Sequence, residues 1–476
     1  MLALALTLVP VQEPQPVSYH REVLPLLRAR CAGCHRPGEA EGKLDLTTFD
    51  GLMSGGRSGP SVVPGDPDAS LLIELVVPWD EEPPEMPEDD EPLTEEEVSL
   101  LRRWIESGAV DDTPEEQASE AVPPVVYPRP PVITSLALSP ADPSGQTVMA
   151  VGGRYEVLLH AADAGTGAAP IARLKSELER IEDLSFSPDG SRLAVSGGAP
   201  GRLGMLEIWD LETRQALISL RLTDDCLFGP SWSPDGALVA FGATDRAVRI
   251  LDVSSGELVL FNAAHEDWVL ETSFSLDGSH LVSVSRDRSM KLVKVETQQF
   301  IDNITSITPG ALKGGLMAVA RHPERDELLV GGADGTPKIY RTYREKKRVI
   351  GDDYNLIRAL EPMAGRVIDV SWGPKGAWVA AASSSASGGQ LGSWNSADGT
   401  PRWKLETPAG LYALAVSADG LTIAAGGFDG VVTVVDAATG SRVREFTPFP
   451  LQAEREPTDP VTGAPESAAT GAGEDA

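Results

Sequence analysis

The chain has 476 residues, of which 41% are hydrophobic and 23% charged, so it holds enough apolar material for packed cores and enough length for several domains. Lys and Arg number 40 against 71 Asp and Glu, a net charge of −31 that argues against nucleic acid and anionic membrane surfaces as partners. Three cysteines exclude a disulfide-stapled scaffold and a four-cysteine zinc site, and 47 Gly with 38 Pro point to many turns rather than long helices.

The chain opens on residues 2–9 (LALALTLV), an apolar run of signal-peptide length and too short to span a bilayer. No basic residue precedes it, so residues 1–17 read as an export signal and linker whose true start lies upstream of Met1; an apolar, unstructured N-terminus is the alternative. Export places the protein in the periplasm or beyond.

Residues 18–112 hold helical patterns and most of the chemistry. In YHREVLPLLRARCAGCH the residues Val23, Leu26, Leu27 and Arg30 recur at helical spacing, so a short amphipathic helix delivers the first cysteine. Cys31-Ala32-Gly33-Cys34-His35 follows. C-x-x-C-H is the attachment signal of c-type haem, with two thiols for the porphyrin vinyl groups and the adjacent imidazole for the iron. Zinc would need a second ligand pair at metal spacing, and a redox dithiol a βαβ context; neither is present. The Gly-rich stretch at 55–59 lacks the ending of a phosphate loop and reads as backbone close to a haem edge.

Met86, 51 positions after His35, lies in an irregular, proline-braced segment suited to hold a thioether over the distal face. Met53 is the competing methionine and reads equally as core filler; His20 reads as exposed on the first helix. A helix opens at Thr94 as N-cap with Glu97 three residues on, buries Val98, Leu101, Trp104 and Ile105, and stops at Gly108. Between Asp80 and Glu120 there are 17 Asp or Glu against two Arg, a solvated face that can also steer a basic partner.

An acidic, proline-rich linker follows at 113–131, then β-patterned repeats over 132–447 and a Pro/Ala/Glu-rich tail, expected disordered, over 448–476. Each repeat has an alternating strand, a Pro/Asp/Gly turn and a second strand of small residues. The residue opening that turn is Ser139, Ser187, Ser233, Ser275, His322, Gly373 and Ser417, with gaps of 48, 46, 42, 47, 51 and 44. Periods in the forties with four strand-sized segments mark propeller blades, and seven anchors predict seven blades. Asp245, Asp287, Asp334 and Asp429 fall twelve residues after their anchors, where a carboxylate suits a tight turn. Third strands end in Trp209-Asp210, Leu251-Asp252, Trp394-Asn395 and Val435-Asp436. On these features the repeats resemble the WD-repeat family, whose degenerate form this is. His160, His265, His280 and His322 read as turn or strand-surface residues, Cys226 as a small buried hydrophobe, and 125–127 as a candidate for the outer strand that closes the ring.

Taken with GGRSGPSVVPGDPDASLLI, Met86-Pro87 and LTEEEVSLLRRWIESGA, the CAGCH motif makes residues 18–112 resemble the planctomycete-type cytochrome c domain, a small all-α module. The resemblance implies covalent haem c on Cys31 and Cys34, His35 and Met86 as axial ligands, and electron transfer. The family often has Met followed by two prolines, whereas here the sequence is PEMPEDD. The expectation is therefore an exported electron carrier with a redox partner protein and a propeller for docking a protein or glycan, more a carrier than an enzyme. An oxidoreductase whose propeller holds substrate or a second cofactor, and an interaction protein with a haem sensor, are the alternatives.

Overall fold

The computed structural model describes residues 17–31, 35, 42, 44–46, 48–79, 83–88, 91–112, 127–142, 144–163, 165, 168–306, 313–349 and 352–451. The expected export signal, Cys34, most of the linker and residues 452–476 lie outside them.

The N-terminal region is small and has few helices. Ser18 caps its start, accepting the Arg21 N–H at 3.1 Å, and a π-helical turn over Tyr19–Val23 runs into helix α1, Leu24–Arg30. Helix α2, Phe49–Ser54, is capped by Thr48, whose Oγ1 accepts the Gly51 N–H at 3.1 Å; α3 covers Leu71–Val76. Helix α4, Glu95–Glu106, opens on the expected reciprocal box: the Glu97 N–H donates to Thr94 Oγ1 (3.2 Å), and the Thr94 N–H donates to Glu97 Oε2 (2.7 Å). Its apolar face supplies Leu101, Trp104 and Ile105 to one core with Tyr19, Val23, Leu27, Leu52 and Ile73. Tyr19 packs on Trp104 and meets Phe49 edge-on, with ring centroids 5.4 and 5.1 Å apart. Among the described residues no helix is long and apolar enough to cross a membrane.

The remainder is a seven-bladed β-propeller, and it covers most of the chain. Each blade is an antiparallel sheet of four consecutive strands. The first strands are Leu136–Leu138, Arg180–Phe186, Leu227–Trp232, Val269–Phe274, Leu316–Arg321, Arg366–Trp372 and Leu411–Val416. Each touches the first strand of the next blade, and the last returns to the first, so they form a closed inner ring. The small residues of the second strands let blades stack. A Cβ on Gly242 would lie 2.5 Å from the Val269 carbonyl of the next blade, and one on Gly331 would lie 2.4 Å from Val367 Cγ1.

The turn chemistry follows the repeat. Ser187, Ser233, Ser275 and Ser417 donate through Oγ to Asp189, Asp235, Asp277 and Asp419 at 2.6–2.7 Å. The Asp twelve residues after the anchor accepts the backbone N–H two residues on in all four cases, from Ala247, Ser289, Thr336 and Val431 at 2.8–3.1 Å.

Closure differs from the expectation. Every blade uses its own four strands, so among the described residues no linker strand completes a sheet; residues 125 and 126 of the expected strand lie outside them. Instead the Ile133 N–H donates to the Gly427 carbonyl (2.9 Å), and Ile133, Leu136 and Val151 share a core with Ala413, Ala424 and Val432 of blade seven. Tyr127, read as linker, makes a parallel bridge with Leu451 and packs on buried Phe449, so residues 448–451 of the expected tail belong to the propeller. Two aromatic rings at the seam exclude water from it, which a polar linker would not do.

Candidate functional site

Of the residues assigned to haem, Cys31, His35 and Met86 are described. Cys31 caps α1, its N–H donating to the Leu27 carbonyl at 2.8 Å. The His35 N–H donates to the Cys31 carbonyl (3.1 Å), and the His35 carbonyl accepts the Leu46 N–H (2.9 Å), so the motif turns back immediately at the helix end. Arg30, one residue earlier, donates to the carbonyls of Glu91 (2.6 Å) and Pro92 (3.2 Å) and lies 3.8 Å from Glu97. The end of α1 is thereby tied to the start of α4 and to the chain leaving the Met86 segment. Met86 is fixed at its backbone by an N–H donated to the Leu75 carbonyl at 2.9 Å.

Cys31 and Met86 each pack, half-buried, against the N-terminal core, as do Leu26, Leu44, Phe49, Met53 and Val77, which are also only partly covered. Burial pushes the Cys31 thiol up to about 11, against the pull of Arg30, so it stays protonated at neutral pH. The donor set suits a haem: a thiol, an imidazole-bearing turn and a thioether, around apolar surface that the helices leave uncovered. Met53 shares that margin. His20 is exposed, as expected, and its N–H donates to Asp112 Oδ1 at 2.9 Å.

The propeller histidines depart from the reading. His160, His265 and His322 are buried, because each fills space between strands or blades that a serine or apolar residue fills elsewhere. His265 Nδ1 meets Asp287 Oδ2 at 2.9 Å and Nε2 meets Ser283 Oγ at 2.8 Å. A carboxylate can only accept, so Nδ1 carries the proton and Nε2 accepts from the serine. The connectivity is that of a nucleophile, base and acid. With Ser283 2% and His265 5% exposed, no substrate reaches it, and it serves as a polar brace within blade four. His322 stands at the anchor position and accepts the N–H groups of Glu324 and Arg325 on Nδ1, both at 3.0 Å, against the Trp372 ring. Cys226 is buried as expected, and burial pushes its thiol up to about 12.

Sequence reasoning missed the central channel. It encloses about 970 Å³, and Asp183, Glu271 and Asp369 line it from the first strands of blades two, four and six. Each sits four residues before its anchor, where the other blades carry Ser135, Gly229, Ala318 and Ala413. Each also follows directly on a residue bulged from the ladder, which turns these side chains toward the channel. Burial pushes Asp183 and Asp369 up to about 7 and Glu271 well above its ordinary value; repulsion from Asp369 adds to the rise of Asp183, and repulsion from both aspartates to that of Glu271. Asp369 Oδ2 accepts the Leu414 N–H at 2.7 Å, and Asp183 Oδ1 accepts the Leu184 N–H at 2.7 Å. Among the described residues no three His, Cys, Asp or Glu side chains come close enough to hold one metal ion.

Comparison with known proteins divides the chain in the same way. Over 112 residues it is 30% identical to the WD repeat-containing protein 91 homolog of Dictyostelium discoideum, covering 23% of this chain and 15% of that protein. It is 26% identical to eukaryotic translation initiation factor 3 subunit I of Emericella nidulans over 48% of this chain and 69% of that subunit. Against the same subunit of Coccidioides immitis it is 26% identical over 39% of this chain and 57% of that subunit. The chain thus spans between about a seventh and two thirds of the curated relatives it matches. The family model for WD domain, G-beta repeat, matches residues 256–293, which contain the His265–Asp287 brace, and that for Planctomycete cytochrome C matches residues 31–90, from the first cysteine past Met86.

Proposed function

We propose that this protein is an exported one-electron carrier: one haem c joined to Cys31 and Cys34, His35 and Met86 as axial ligands, and the propeller as a docking scaffold for a redox partner. The observation that carries the reading is a C-x-x-C-H sequence at the mouth of a helix, inside a segment that matches Planctomycete cytochrome C. Bound there, haem supplies a centre that gains and loses a single electron. The chain's own residues do the rest. Helix α1 presents Cys31 at its end, and the backbone bond from the His35 N–H to the Cys31 carbonyl keeps His35 close to that thiol-bearing residue. The half-covered apolar margin offers a face that excludes water from one side of a flat ring. Arg30 fixes the chain beyond Met86, and the Leu75 carbonyl fixes Met86 itself. Met86 is preferred to Met53 because it lies outside a helix, in a segment held by its backbone bond to Leu75, whereas Met53 is set within α2.

The test is a pyridine haemochrome assay on full-length protein matured in a haem-ligating host. The expected result is one haem per chain that resists acid-acetone extraction. Protein without pigment, or with extractable pigment, overturns the reading. Met86→Ala is expected to abolish the thioether-to-iron charge-transfer band of the oxidised protein and to open it to carbon monoxide, and Met53→Ala to leave both unchanged; the reverse pattern reassigns the ligand.

A further inference from the structure

Among the described residues, none of the three carboxyl groups of the central channel forms an ion pair with a Lys or Arg side chain. Arg180 and Arg286, two of the three arginines of its wall, have other partners: Arg180 Nε lies 2.9 Å from Glu182 Oε1, and Arg286 Nε 3.6 Å from Asp267 Oδ2. Arg286 also lies flat over Trp268, 4.5 Å from the ring centroid. Arg366 lines the same end and is exposed. Arg180 and Arg366 open the strands that carry Asp183 and Asp369 three residues on, and Trp268 directly precedes the strand that carries Glu271, so these residues flank the carboxyl groups along the wall.

Glu271 is the clearest sign that something is meant to enter. Asp183 and Asp369 each accept a backbone N–H, but among the described residues no donor reaches the Glu271 carboxyl, which stands half-buried in the channel wall. An unpaired acid so placed costs free energy unless a ligand supplies the missing donor or the group stays protonated. The ligand's chemistry follows from the spacing. One small ion cannot be held, since no three acidic groups converge on a single point. A planar cation with several N–H groups on a flexible stem can reach separate acceptors, and Phe228, Trp268 and Tyr412 line the wall beside its path.

We infer that the channel is a receptor for an arginine side chain presented by a basic segment of a partner protein, with Glu271 as its principal acceptor and Asp183 and Asp369 flanking it. This rests on the propeller's role as a docking scaffold and not on the haem, whose presence the haemochrome assay reads separately. It gives that scaffold a chemical preference that its likeness to WD-repeat proteins does not supply.

The test is calorimetry on the full chain with a capped, glycine-rich pentapeptide carrying central arginine, against the same peptide with citrulline, which keeps the shape and loses the charge. The arginine peptide is expected to bind at least about tenfold tighter, and Glu271→Gln to erase that difference while circular dichroism stays native. Asp369→Asn serves as the second variant and is expected to weaken the arginine peptide alone. In the unmodified protein, affinity is expected to fall about tenfold or more from pH 8 to pH 6, because Asp183 and Asp369, raised to about 7, take up protons in that range while guanidinium keeps its charge. The other charged groups on the wall are Glu182, which burial also raises, Asp267, and Arg180, Arg286 and Arg366. Equal binding of the two peptides, a preference that survives Glu271→Gln, or an affinity flat between pH 8 and pH 6 overturns the assignment. Binding of spermidine with no binding of the arginine peptide also overturns it, in favour of a free polyamine.

Discussion

Burial sets the protonation of individual side chains here, and it does so in two opposing directions. His160 and His322 are pushed down to about 4 by burial, and Arg444 and Arg325 lower them further; burial also lowers His265, against the bond from Asp287. Unfolded, each titrates near 6.5, so the folded state binds fewer protons below that value. Their contribution to stability is full above about pH 6.5 and is lost as pH falls toward 4. The channel acids work the other way. Asp183 and Asp369 hold protons up to about 7 that the unfolded chain releases near 4, so their contribution is full below about pH 4 and is lost as pH rises to 7. The double variant Asp183→Asn/Asp369→Asn is therefore expected to melt at a higher temperature than the parent at pH 8, with the gap shrinking toward pH 5. A gap that is constant or reversed by differential scanning calorimetry refutes this electrostatic account.

At this scale the sequence was legible where chemistry has fixed spacing. The helix expected before Cys31 is present as α1, and Met86, like Cys31, packs half-buried against the N-terminal core. The channel acids were not legible. Asp183, Glu271 and Asp369 lie about ninety residues apart and announce themselves only when the repeats are aligned on their turns. Even then, a charged residue in an alternating strand reads as solvent-facing until the ring closes around it. The buried histidines were hidden for a related reason: imidazole replaces serine at a turn only if a neighbouring ring, here Trp372, can pack on it.

Among the elements, the strands that stack blade on blade carry the tightest constraints. Gly331 faces Val367, and Gly242 faces Val269, each at a distance no side chain tolerates. Gly331→Ala is expected to cost about 1–3 kcal/mol in denaturant unfolding, since Val367 and its strand must move to admit one methyl group. A cost below about 0.5 kcal/mol would mean the blades slide freely. The repeat of small residues in second strands was visible from the sequence, as were the anchors and the Asp of the tight turns. The purpose of the small residues was not, because their partners lie on the next blade. Helix α4 was readable to its ends, since Thr94, Glu97 and Gly108 act through local bonds.

For the molecule as a whole, charge is the dominant property. The net charge of −31 includes 17 acidic residues between Asp80 and Glu120, the stretch that contains Met86 and α4. A basic redox partner is expected to be drawn to this region, so its bimolecular electron-transfer rate with the haem-loaded protein should fall severalfold as ionic strength rises from about 0.01 to 0.15 M, where screening shortens from about 30 to 8 Å. A rate independent of salt in stopped-flow mixing would remove steering from the account. On the functions proposed above, an acidic exterior and an acid-lined channel would both favour basic partners, one at long range and the other at short range.

The seam between blades one and seven carries a wider meaning. Each sheet is made from one uninterrupted stretch of chain, and the first and last blades meet through the Tyr127–Leu451 bridge, the Ile133–Gly427 hydrogen bond and side-chain packing rather than a shared sheet. No blade depends on where translation begins. A gene rearranged to start between any two neighbouring blades, with the old ends spliced, would still encode all seven sheets intact, and pulling on the natural ends should peel this joint apart before any sheet loses a strand.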